Sequence, residues 1–457
     1  MPRAWRSRKR PRLTIRELRI GIDDTDSLKG GCTTYVAYRV IKGIAESLNL
    51  HVTDYPYLVR LNPNFPPKTK GNGAVRLAFR ADDVDPKSVI DAVAKIVGRH
   101  SRLQDQGTEP AIAVSTGRLD NRRLYDFYKL ALAEVIPHER AVRLADELGI
   151  KMIYLKDSKK GAVGSLAALG ADLSGDHTFE LLAYRVESMW GKRRLVDERS
   201  VIMMDRETSP LTFNNYDYAN CRVLITPHGP DPVLVGIRGE TPHILLKALG
   251  MLEFGEQVGG HVIFKTNQGT DAHFEALGSD PAVVTPPFSV ACFSGTVLSG
   301  PKVMRGGHVL FSVDSRGSEV PVVCFAESGE LTKKVNALEP GDRVRVCGGT
   351  RIRGASTCLN LEKLTVDEVI VRKVKRPPLC PRCGKRSKSK GLRQGYVCPR
   401  CGRLFRRPQI VTTKRNLRPG VYLPDAGAMR HLAKPLSRVG LEKAQGQPAP
   451  LIDGWLR

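Results

Sequence analysis

Long apolar runs are what this 457-residue sequence lacks most clearly. No segment approaches the ~20 uninterrupted apolar residues of a membrane span, and no apolar stretch follows the charged N-terminus as it does in a signal peptide. We therefore expect a cytoplasmic protein with no membrane contact. Internal repeats and coiled-coil heptads are also missing. The length suits roughly three or four compact domains, because single cores seldom grow beyond ~250 residues.

Acidic residues are scarce at both ends of the chain. Residues 1–19 hold eight Lys/Arg against one acid, and residues 372–457 hold 22 against three, which gives +7 and +19. Since the total formal charge is +25, the remaining 352 residues sum to −1. A near-neutral body with cationic ends is typical of a protein that binds an anionic polymer such as a nucleic acid. Each phosphate that the protein neutralises releases condensed counterions, which favours binding. For the basic extension 1–16, a solubilising or localisation signal is the alternative.

Cysteine is sparse except in one short segment. Two CPRCG motifs place Cys380/Cys383 and Cys398/Cys401 fourteen residues apart. Four thiolates complete the tetrahedral coordination of Zn²⁺ and leave no position for water or substrate. The spacing therefore predicts a structural zinc ribbon rather than a catalytic metal centre. The other six cysteines are expected to be buried hydrophobic residues in apolar strands. They are Cys32, Cys221, Cys292, Cys324, Cys347 and Cys358.

Strand and helix patterns alternate over the first 280 residues. The segment LRIGID at 18–23 predicts a buried strand that ends in the acidic turn DDTDS, and 33–48 predicts an apolar-striped helix. Further strands are predicted at 55–61, 73–80 and 109–116, with an amphipathic helix between the last two. A second mixed pattern covers 218–273. The fold class is therefore multidomain α+β or α/β.

The pattern changes near residue 287 to short β-rich runs with a single helix. Five strands and one helix favour an oligonucleotide-binding (OB) β-barrel over 284–371. A few of its aromatic residues could stack on bases, although most are expected in the core. They are Phe288, Phe293, Phe311 and Phe325. The zinc ribbon follows at 376–408, and then a basic C-terminal tail at 409–457 with little core of its own.

The acidic turn is the strongest candidate for catalysis. Asp23, Asp24 and Asp26 follow a strand directly, and carboxylates this close ionise comfortably only beside a cation. Mg²⁺ carrying nucleotide phosphates is the natural partner, with the hydroxyls of Thr33 and Thr34 facing a phosphoryl group at a helix N-terminus. On chemistry alone, a turn that caps the helix is an equal alternative.

Two further segments are candidates for ligand contact. Near residue 160, glycines allow backbone N–H groups to approach phosphate and a lysine adds charge, although a closely packed glycine-rich helix explains the pattern as well. These nucleotide-binding candidates are Lys160, Gly161, Gly164 and Ser165. The loop NPNFPPKTKGNGAV and the segment TNQGTDAH supply candidates for substrate binding. They are Lys70, Gly71, Asn72, Asn267, Gln268 and Asp271.

Taken in order, these motifs resemble one family. They are similar to those of the archaeal isoleucine-tRNA agmatidine synthetases, also called tRNA 2-agmatinylcytidine synthases. The motifs are GIDDTDSLKGGCTTY, RLNPNFPPKTKGNGAV, GAVGSLAALGAD with TFELLAYR, and TNQGTDAH, followed by a barrel and a zinc ribbon. The resemblance covers the chain from about Arg19 to Lys434 in order, and no quoted motif departs from the pattern.

The resemblance implies an ATP-dependent ligase with a C–N bond-forming reaction. In the family, a kinase-like domain phosphorylates the 2-carbonyl oxygen of the wobble cytidine in the CAU anticodon of isoleucine tRNA, and agmatine displaces the phosphate. The codon read then changes from AUG to AUA. The implied cofactors are ATP, catalytic Mg²⁺ and structural Zn²⁺, and no obligate protein partner is evident. Thr33 aligns with a threonine that is itself phosphorylated, and Asp23, Asp24 and Asp26 align with the cluster that handles magnesium and nucleotide.

The resemblance also implies a division of the chain. We expect a kinase-like catalytic domain from 17–60 and 137–200, and a ferredoxin-like region from 61–136 and 201–280. The OB-fold and zinc ribbon are expected to grip the body of the tRNA.

Two rival functions are distinguishable. A non-catalytic OB-fold and zinc-ribbon protein that binds nucleic acid would show no nucleotide turnover. An adenylating tRNA ligase would normally carry an SGGxDS-type loop, and the sequence has none. The phosphorylating mechanism is therefore preferred.

Overall fold

The structure is a computed structural model that describes residues 17–48, 50–66, 68, 71–80, 84–116, 121–276, 286–353 and 356–457. The basic extension 1–16 and Lys70, both singled out by the sequence, lie outside these ranges. Within them, no helix is both long enough and apolar enough to cross a membrane.

The first part of the chain alternates strands and helices as predicted. Its elements are β1 (Glu17–Asp23), α1 (Thr33–Leu48), β2 (His51–Val52), β3 (Tyr57–Arg60), β4 (Gly73–Arg80), α2 (Pro86–His100), β5 (Ala111–Thr116), α3 (Asn121–Ala133), α4 (His138–Glu147), β6 (Lys151–Tyr154) and α5 (Ala162–Gly170). α1 has the predicted bounds. Asp85 caps α2 by accepting from the backbone N–H groups of Lys87 and Ser88, which satisfies donors left free at a helix start.

The second part continues the mixed pattern. Its elements are β7 (Thr178–Arg185), α6 (Glu198–Thr208), β8 (Thr212–Phe213), β9 (Tyr216–Asp217), β10 (Arg222–Val223), β11 (Val233–Gly239), α7 (Pro242–Gly250), β12 (Val258–Thr266) and α8 (Ala272–Glu275).

One sheet joins these two parts. Its strand order is β6-β5-β1-β4-β3-β12-β7-β11-β8, with β2 paired to β4. The parts meet where β3 and β12 pair in parallel, through Lys265 opposite Tyr57 and Thr266 opposite Leu58. Alternate residues of β1 (Leu18, Ile20, Ile22) pack with α1 and α2 in one apolar core, while α3, α4 and α5 form a second core with β3, β4 and β5.

The β-rich segment forms the predicted closed barrel. Its elements are β13 (Val290–Val303), β14 (Val309–Ser315), β15 (Ser318–Cys324), α9 (Glu330–Val335), β16 (Arg343–Arg353) and β17 (Ser356–Glu368). Parallel pairing of β15 with β17 closes the barrel, and Phe293 and Phe311 are buried in its core. Cys292 and Cys347 are buried on strands as expected, and they also form a disulfide that the sequence did not predict. They lie directly opposite each other on β13 and β16. The expectation of burial is wrong for Cys221, which is exposed, and Cys32 is only partly buried.

A two-stranded ribbon carries the chain out of the barrel and back. β18 (Arg372–Arg376) leads to the cysteine module with its short strands β19 (Lys388–Ser389), β20 (Tyr396–Val397) and β21 (Leu404–Phe405), and β22 (Gln409–Thr413) returns beside β18. β23 (Gly420–Tyr422) then adds to β17 of the barrel.

The tail has no core of its own and packs on the rest of the molecule. Leu432 joins the core under α3 and α5, and Arg438 is completely buried. Leu456 forms a bridge with Val262 of β12. Residues 424–457, called the strap below, therefore run across both parts of the large sheet.

Candidate active site

The acidic turn and the start of α5 are pressed together at the end of β1. A Cβ atom at Gly164 would lie 1.9 Å from Oδ2 of Asp23, and one at Gly21 would lie 2.0 Å from the carbonyl oxygen of Ser165. Only glycine at these positions lets α5 approach β1 so closely. The backbone of Asp24 has φ 59°, a left-handed conformation that turns the chain away from the strand.

Burial and mutual repulsion disfavour the charged forms of Asp23 and Asp24 in this turn. Burial, followed by repulsion from Asp24, raises the pKa of Asp23 well above its usual range. Burial also raises the pKa of Asp24 to about 6, although Lys160 opposes this. Oδ2 of Asp24 accepts no hydrogen bond from the described residues, and Nζ of Lys160 lies 3.5 Å from it. This donor set fits a divalent cation, which would favour the charged forms.

A neighbouring loop braces the acidic turn. Ser27 donates to Oδ2 of Asp105 at 2.6 Å, and the hydroxyl of Thr108 donates to the carbonyl oxygen of Asp26 at 2.9 Å. Nζ of Lys160 also donates to the carbonyl oxygen of Gly107, at 3.2 Å. The turn is thus held by side chains distant in sequence, as preorganised charge requires.

Buried hydroxyl groups surround the start of α1. Oγ1 of Thr25 donates to Oγ1 of Thr33 at 3.1 Å, and Sγ of Cys32 lies 3.0 Å from Oγ1 of Thr34. The first N–H groups of a helix have no partner within it and carry partial positive charge. Thr33 and Thr34 therefore lie at a helix start that is suited to an anionic group.

A cleft of about 430 Å³ opens in front of these threonines, over the junction of β3 with β12. Its wall carries Asp26, Cys32, Thr33, Thr34, Arg60, Gly71, Glu180, Asn214, Arg222, His228, Asp231, Arg238, Met429 and His431. Both parts of the sheet and the strap contribute to it. We refer to it as the junction cleft.

The cleft floor is built on ion pairs. Glu180 of β7 lies 3.8 Å from Arg60 of β3 and 3.3 Å from Arg238 of β11. Each of these side chains projects from a different strand of one rigid sheet, so their positions are fixed by strand register. The arrangement offers guanidinium groups to an anion and carboxylates to a cation within one cavity.

The structure brings some of the predicted residues together. Asp23, Asp24 and Lys160 form the acidic site, and Asp26, Thr33, Thr34 and Gly71 line the junction cleft. Asn72 lies beside Gly71 and donates from its amide to the carbonyl oxygen of Asn62 at 3.1 Å.

The predicted glycine-rich cradle is tightly packed. Gly161 stands so close to the chain at Glu109 that a Cβ atom would lie 2.8 Å from its carbonyl oxygen. Ser165 is completely buried and its hydroxyl donates to the carbonyl oxygen of Ala162 at 3.2 Å. Contact of either residue with nucleotide stays a prediction.

The TNQGTDAH residues are buried braces outside the lining of the cleft. Asn267 bonds the backbone of Arg60 through both ends of its amide, at 2.8 and 2.9 Å, and Gln268 donates to Glu180. Asp271 pairs with Lys363 of the barrel at 2.6 Å and accepts from the backbone of Lys434 at 2.8 Å. Substrate contact by these residues stays a prediction, and the observed contacts position the cleft floor and the strap.

Sequence reasoning missed several residues of the site. Glu180 was detectable, because a glutamate within the apolar strand TFELLAYR is costly to bury without a partner. Arg60 and Arg238 could have been identified on similar but weaker grounds. Met429 and His431 could not, since nothing in the local sequence indicates that the strap returns to the sheet.

The four predicted zinc ligands meet at one point. Their sulfur atoms all lie within 4.8 Å of one another, and three separations are 3.3, 3.5 and 3.7 Å. Backbone N–H groups of Cys401 and Arg400 lower the pKa of Cys398 to about 6, which favours the thiolate that binds metal. Such a cluster suits one zinc ion with Zn–S bonds of about 2.3 Å.

Comparison with known proteins gives consistent matches along the chain. Three family models match: the TiaS TCKD domain at 19–157, the TiaS FLD domain at 159–273 and the TiaS C-terminal zinc ribbon domain at 377–417. The isoleucine tRNA 2-agmatinylcytidine synthetase TiaS of Staphylothermus marinus is 38% identical over 440 residues, which cover 93% of this chain and 94% of that protein.

Solved structures match over a similar extent. A crystal structure of TiaS in complex with its isoleucine tRNA and ATP has a TM-score of 0.83 and 33% identity, covering 96% of this chain and 99% of that chain. A complex of TiaS with the same tRNA, AMPCPP and agmatine has a TM-score of 0.80 and 32% identity, with the same coverage of both chains.

Proposed function

The chain belongs to the isoleucine tRNA 2-agmatinylcytidine synthetase family, TiaS, and on this premise we propose that it joins agmatine to the wobble cytidine of isoleucine tRNA at the expense of ATP. The observation that carries the proposal is the junction cleft, which places the start of α1 and the acidic turn beside a cavity that can hold a base and an amine. The reaction is a C–N bond-forming ligation. It belongs in the cytoplasm with tRNA.

For the acidic site, we propose that Asp23, Asp24 and Asp26 hold Mg²⁺ and that Lys160 contacts the nucleotide phosphates. The raised pKa values of Asp23 and Asp24 support this, because a divalent cation would offset the cost of ionising them. The cation, when bound, would neutralise charge on the transferred phosphoryl group. Thr33 and Thr34 would orient that group at the helix N-terminus.

For the junction cleft, the proposed occupants are the extruded cytosine and agmatine. The cytosine carbonyl oxygen gains a phosphoryl group from ATP as a P–O bond of the nucleotide breaks. The agmatine amine then forms a bond to C2 and loses a proton, and the C2–O bond breaks as phosphate leaves. Arg60, Arg222 and Arg238 supply the cationic surroundings that stabilise such a leaving group. A carboxylate of the cleft is the physical partner for the agmatine guanidinium.

Extrusion of the base costs a few kcal/mol, least in a single-stranded anticodon loop. Contacts elsewhere on the tRNA offset this cost. The basic segment 372–457 carries +19, and its zinc ribbon stands on the β18–β22 ribbon beside the barrel. We assign the barrel and zinc ribbon to the tRNA body.

The kinase-like and ferredoxin-like assignments are also proposals. The boundaries predicted from sequence interleave, with 17–60 and 137–200 set against 61–136 and 201–280. The two matched family segments are instead contiguous, at 19–157 and 159–273. We place the kinase-like unit in the first of them, because it contains the acidic turn, and the ferredoxin-like unit in the second.

The decisive experiment uses the purified full chain with ATP, Mg²⁺, agmatine and isoleucine tRNA bearing a CAU anticodon. Mass spectrometry of the digested tRNA should show the wobble cytidine converted to its agmatine adduct. An unchanged mass would refute the proposal. A non-catalytic nucleic-acid-binding protein, the alternative, would bind the tRNA and consume no ATP.

A further inference from the structure

A second cavity, of about 510 Å³, lies along the outer face of α1, and we call it the α1 groove. Basic side chains reach it from α1 and from the last turn of α2, and tyrosine rings form part of its wall. The residues used below are Tyr35, Tyr38, Arg39, Lys42, Glu46, Arg99, His100, Tyr184 and Glu187.

The α1 groove carries more basic than acidic side chains. Arg39, Lys42 and Arg99 form no ion pair within the part of the chain that the structure describes. Glu46 and Glu187 are the acids of the lining. This charge is not a by-product of a basic protein, because residues 20–371 together sum to −1.

Buried tyrosines hold two of these cations in place. Nη1 of Arg39 donates to the hydroxyl of Tyr35 at 3.2 Å, and Nζ of Lys42 donates to the hydroxyl of Tyr38 at 3.4 Å. Both rings are more than nine-tenths buried. Cations fixed on a rigid helix lose less entropy when they bind an anion than cations on a flexible loop.

The lowered pKa of His100 is consistent with a positive potential in the groove. Burial, then the charges of Arg39 and Arg99, lower the pKa of His100, and Glu187 only partly opposes them. An anion in the groove would offset this repulsion.

The groove lies next to the site of reaction. α1 begins at Thr33 and Thr34 in the junction cleft, and Arg39 and Lys42 follow Thr34 by five and eight residues. At 1.5 Å per residue, they stand about 8 and 12 Å along the helix from the cleft. Tyr184 projects to the same face of β7 as Leu182 and Glu180 of the cleft, two and four residues away. A strand whose base enters the cleft can therefore continue into the groove.

We propose that the α1 groove binds backbone phosphates of the RNA strand that flanks the modified nucleotide. Arg39, Lys42 and Arg99 neutralise the phosphates, as contacts that position a nucleic acid do. This inference rests on the proposed function, since it takes tRNA as the substrate.

The test is the salt dependence of tRNA binding. In the variant Arg39→Gln/Lys42→Gln/Arg99→Gln, the slope of log affinity against log salt should fall by about 2–3, because each phosphate contact contributes about 0.7–0.9. Affinity at 50 mM salt should fall about tenfold or more. The matched control, Lys95→Gln/Arg140→Gln/Arg143→Gln, removes the same charge from exposed positions of α2 and α4 and should keep the wild-type slope.

Equal slopes for the two triple variants would overturn the proposal. If the groove variant is misfolded by circular dichroism, Lys42→Gln alone should lower the slope by about 0.7–0.9, and an unchanged slope would again overturn it. NMR titration of His100 separates the sources of phosphate: RNA should raise its pKa, whereas an equal rise with ATP or inorganic phosphate alone would identify a small-anion site instead.

Failure of the groove proposal can be distinguished from failure of the proposed function. A wild-type protein that forms no agmatine adduct but shows the groove-dependent slope would refute the reaction and retain the RNA site. At saturating tRNA, the groove variant should recover most of the wild-type rate, because the lost contacts act on binding.

Discussion

At the scale of single residues, ionised carboxylates of the acidic turn lower the stability of the folded protein, although the proposed function requires them. The folded-state pKa of Asp24 is raised to about 6 from a usual value of 3.8. Ionisation of Asp24 therefore lowers the free energy of unfolding. This loss is absent below pH 3.8 and is complete above pH 6. We expect Asp24→Asn to stabilise the metal-free protein by about 1–3 kcal/mol at pH 7.5. The gain should disappear as the pH falls to 4, and agmatine adduct formation should be lost.

Thermal unfolding across this pH range, with EDTA present, measures the effect. Added Mg²⁺ should stabilise the wild type more than the variant, because the variant has lost a ligand. A variant that is less stable than wild type at pH 7.5 would contradict the assigned cost of ionisation.

Gly164 tests how tightly the site is packed. In Gly164→Ala, the new methyl group would meet the Asp23 carboxylate, so α5 must move and we expect a loss of about 1–3 kcal/mol with little activity. Gly98→Ala is the control, because its Cβ would meet only Leu155 at 3.9 Å and alanine favours the helix. Denaturant unfolding should separate the two, and equal stability would contradict the packing argument.

The sequence identified polar segments but not the partners of their residues. Crowded carboxylates after a strand indicate a cation site without any tertiary information. Asn267 and Asp271 gave an equally polar motif, yet they bond Arg60 and Lys363, which are far away in sequence. Spacing alone does not tell a polar brace from a polar ligand.

At the scale of elements, the zinc ribbon is a small module carried on the two-stranded ribbon of β18 and β22. Loss of a thiolate should unfold a small module whose strands are only two residues long, since metal binding supplies its folding free energy. We expect Cys398→Ser to lose zinc and weaken tRNA binding at least tenfold, with the main thermal transition unchanged. Cys221→Ser, at an exposed free cysteine, should match wild type in zinc content and affinity.

Local periodicity explains why most elements were predictable. α1 and β4 have the bounds that their apolar spacing predicts. Pairing between strands is less accessible from sequence. Cys292 and Cys347 are 55 residues apart, and their bond depends on the register of β13 with β16, which a shift of one residue would destroy.

At the scale of the whole molecule, long-range connections determine the junction cleft. β3 and β12 pair across about 200 residues of sequence, and the strap adds its wall from a further 160 residues away. The sequence pattern of each segment is compatible with many such arrangements. The sequence therefore predicted only a basic tail with little core of its own, whereas the buried Arg438 attaches this tail to the rest of the molecule.

Arg438 is that point of attachment. It is completely buried, pairs with Glu240 and lies 2.9 Å from Asp176, and donates to the carbonyl oxygen of Gly269. In Arg438→Met these carboxylates lose their main cation, and breaking a buried pair costs about 3–5 kcal/mol. Because Lys443 still reaches Glu240 at 2.6 Å, we expect the loss of unfolding free energy to lie in the lower half of this range.

The strap should then release Met429 and His431 from the junction cleft, which predicts a larger rise in the KM for agmatine than in the KM for ATP, and early proteolysis within 424–457. Arg418→Met, at an exposed position of the same tail, removes the same charge without the buried network. If the two variants have the same KM for agmatine and the same proteolysis rate, the strap does not shape the cleft. A change confined to Arg438→Met would show that the C-terminal segment completes the site that the N-terminal acidic turn begins.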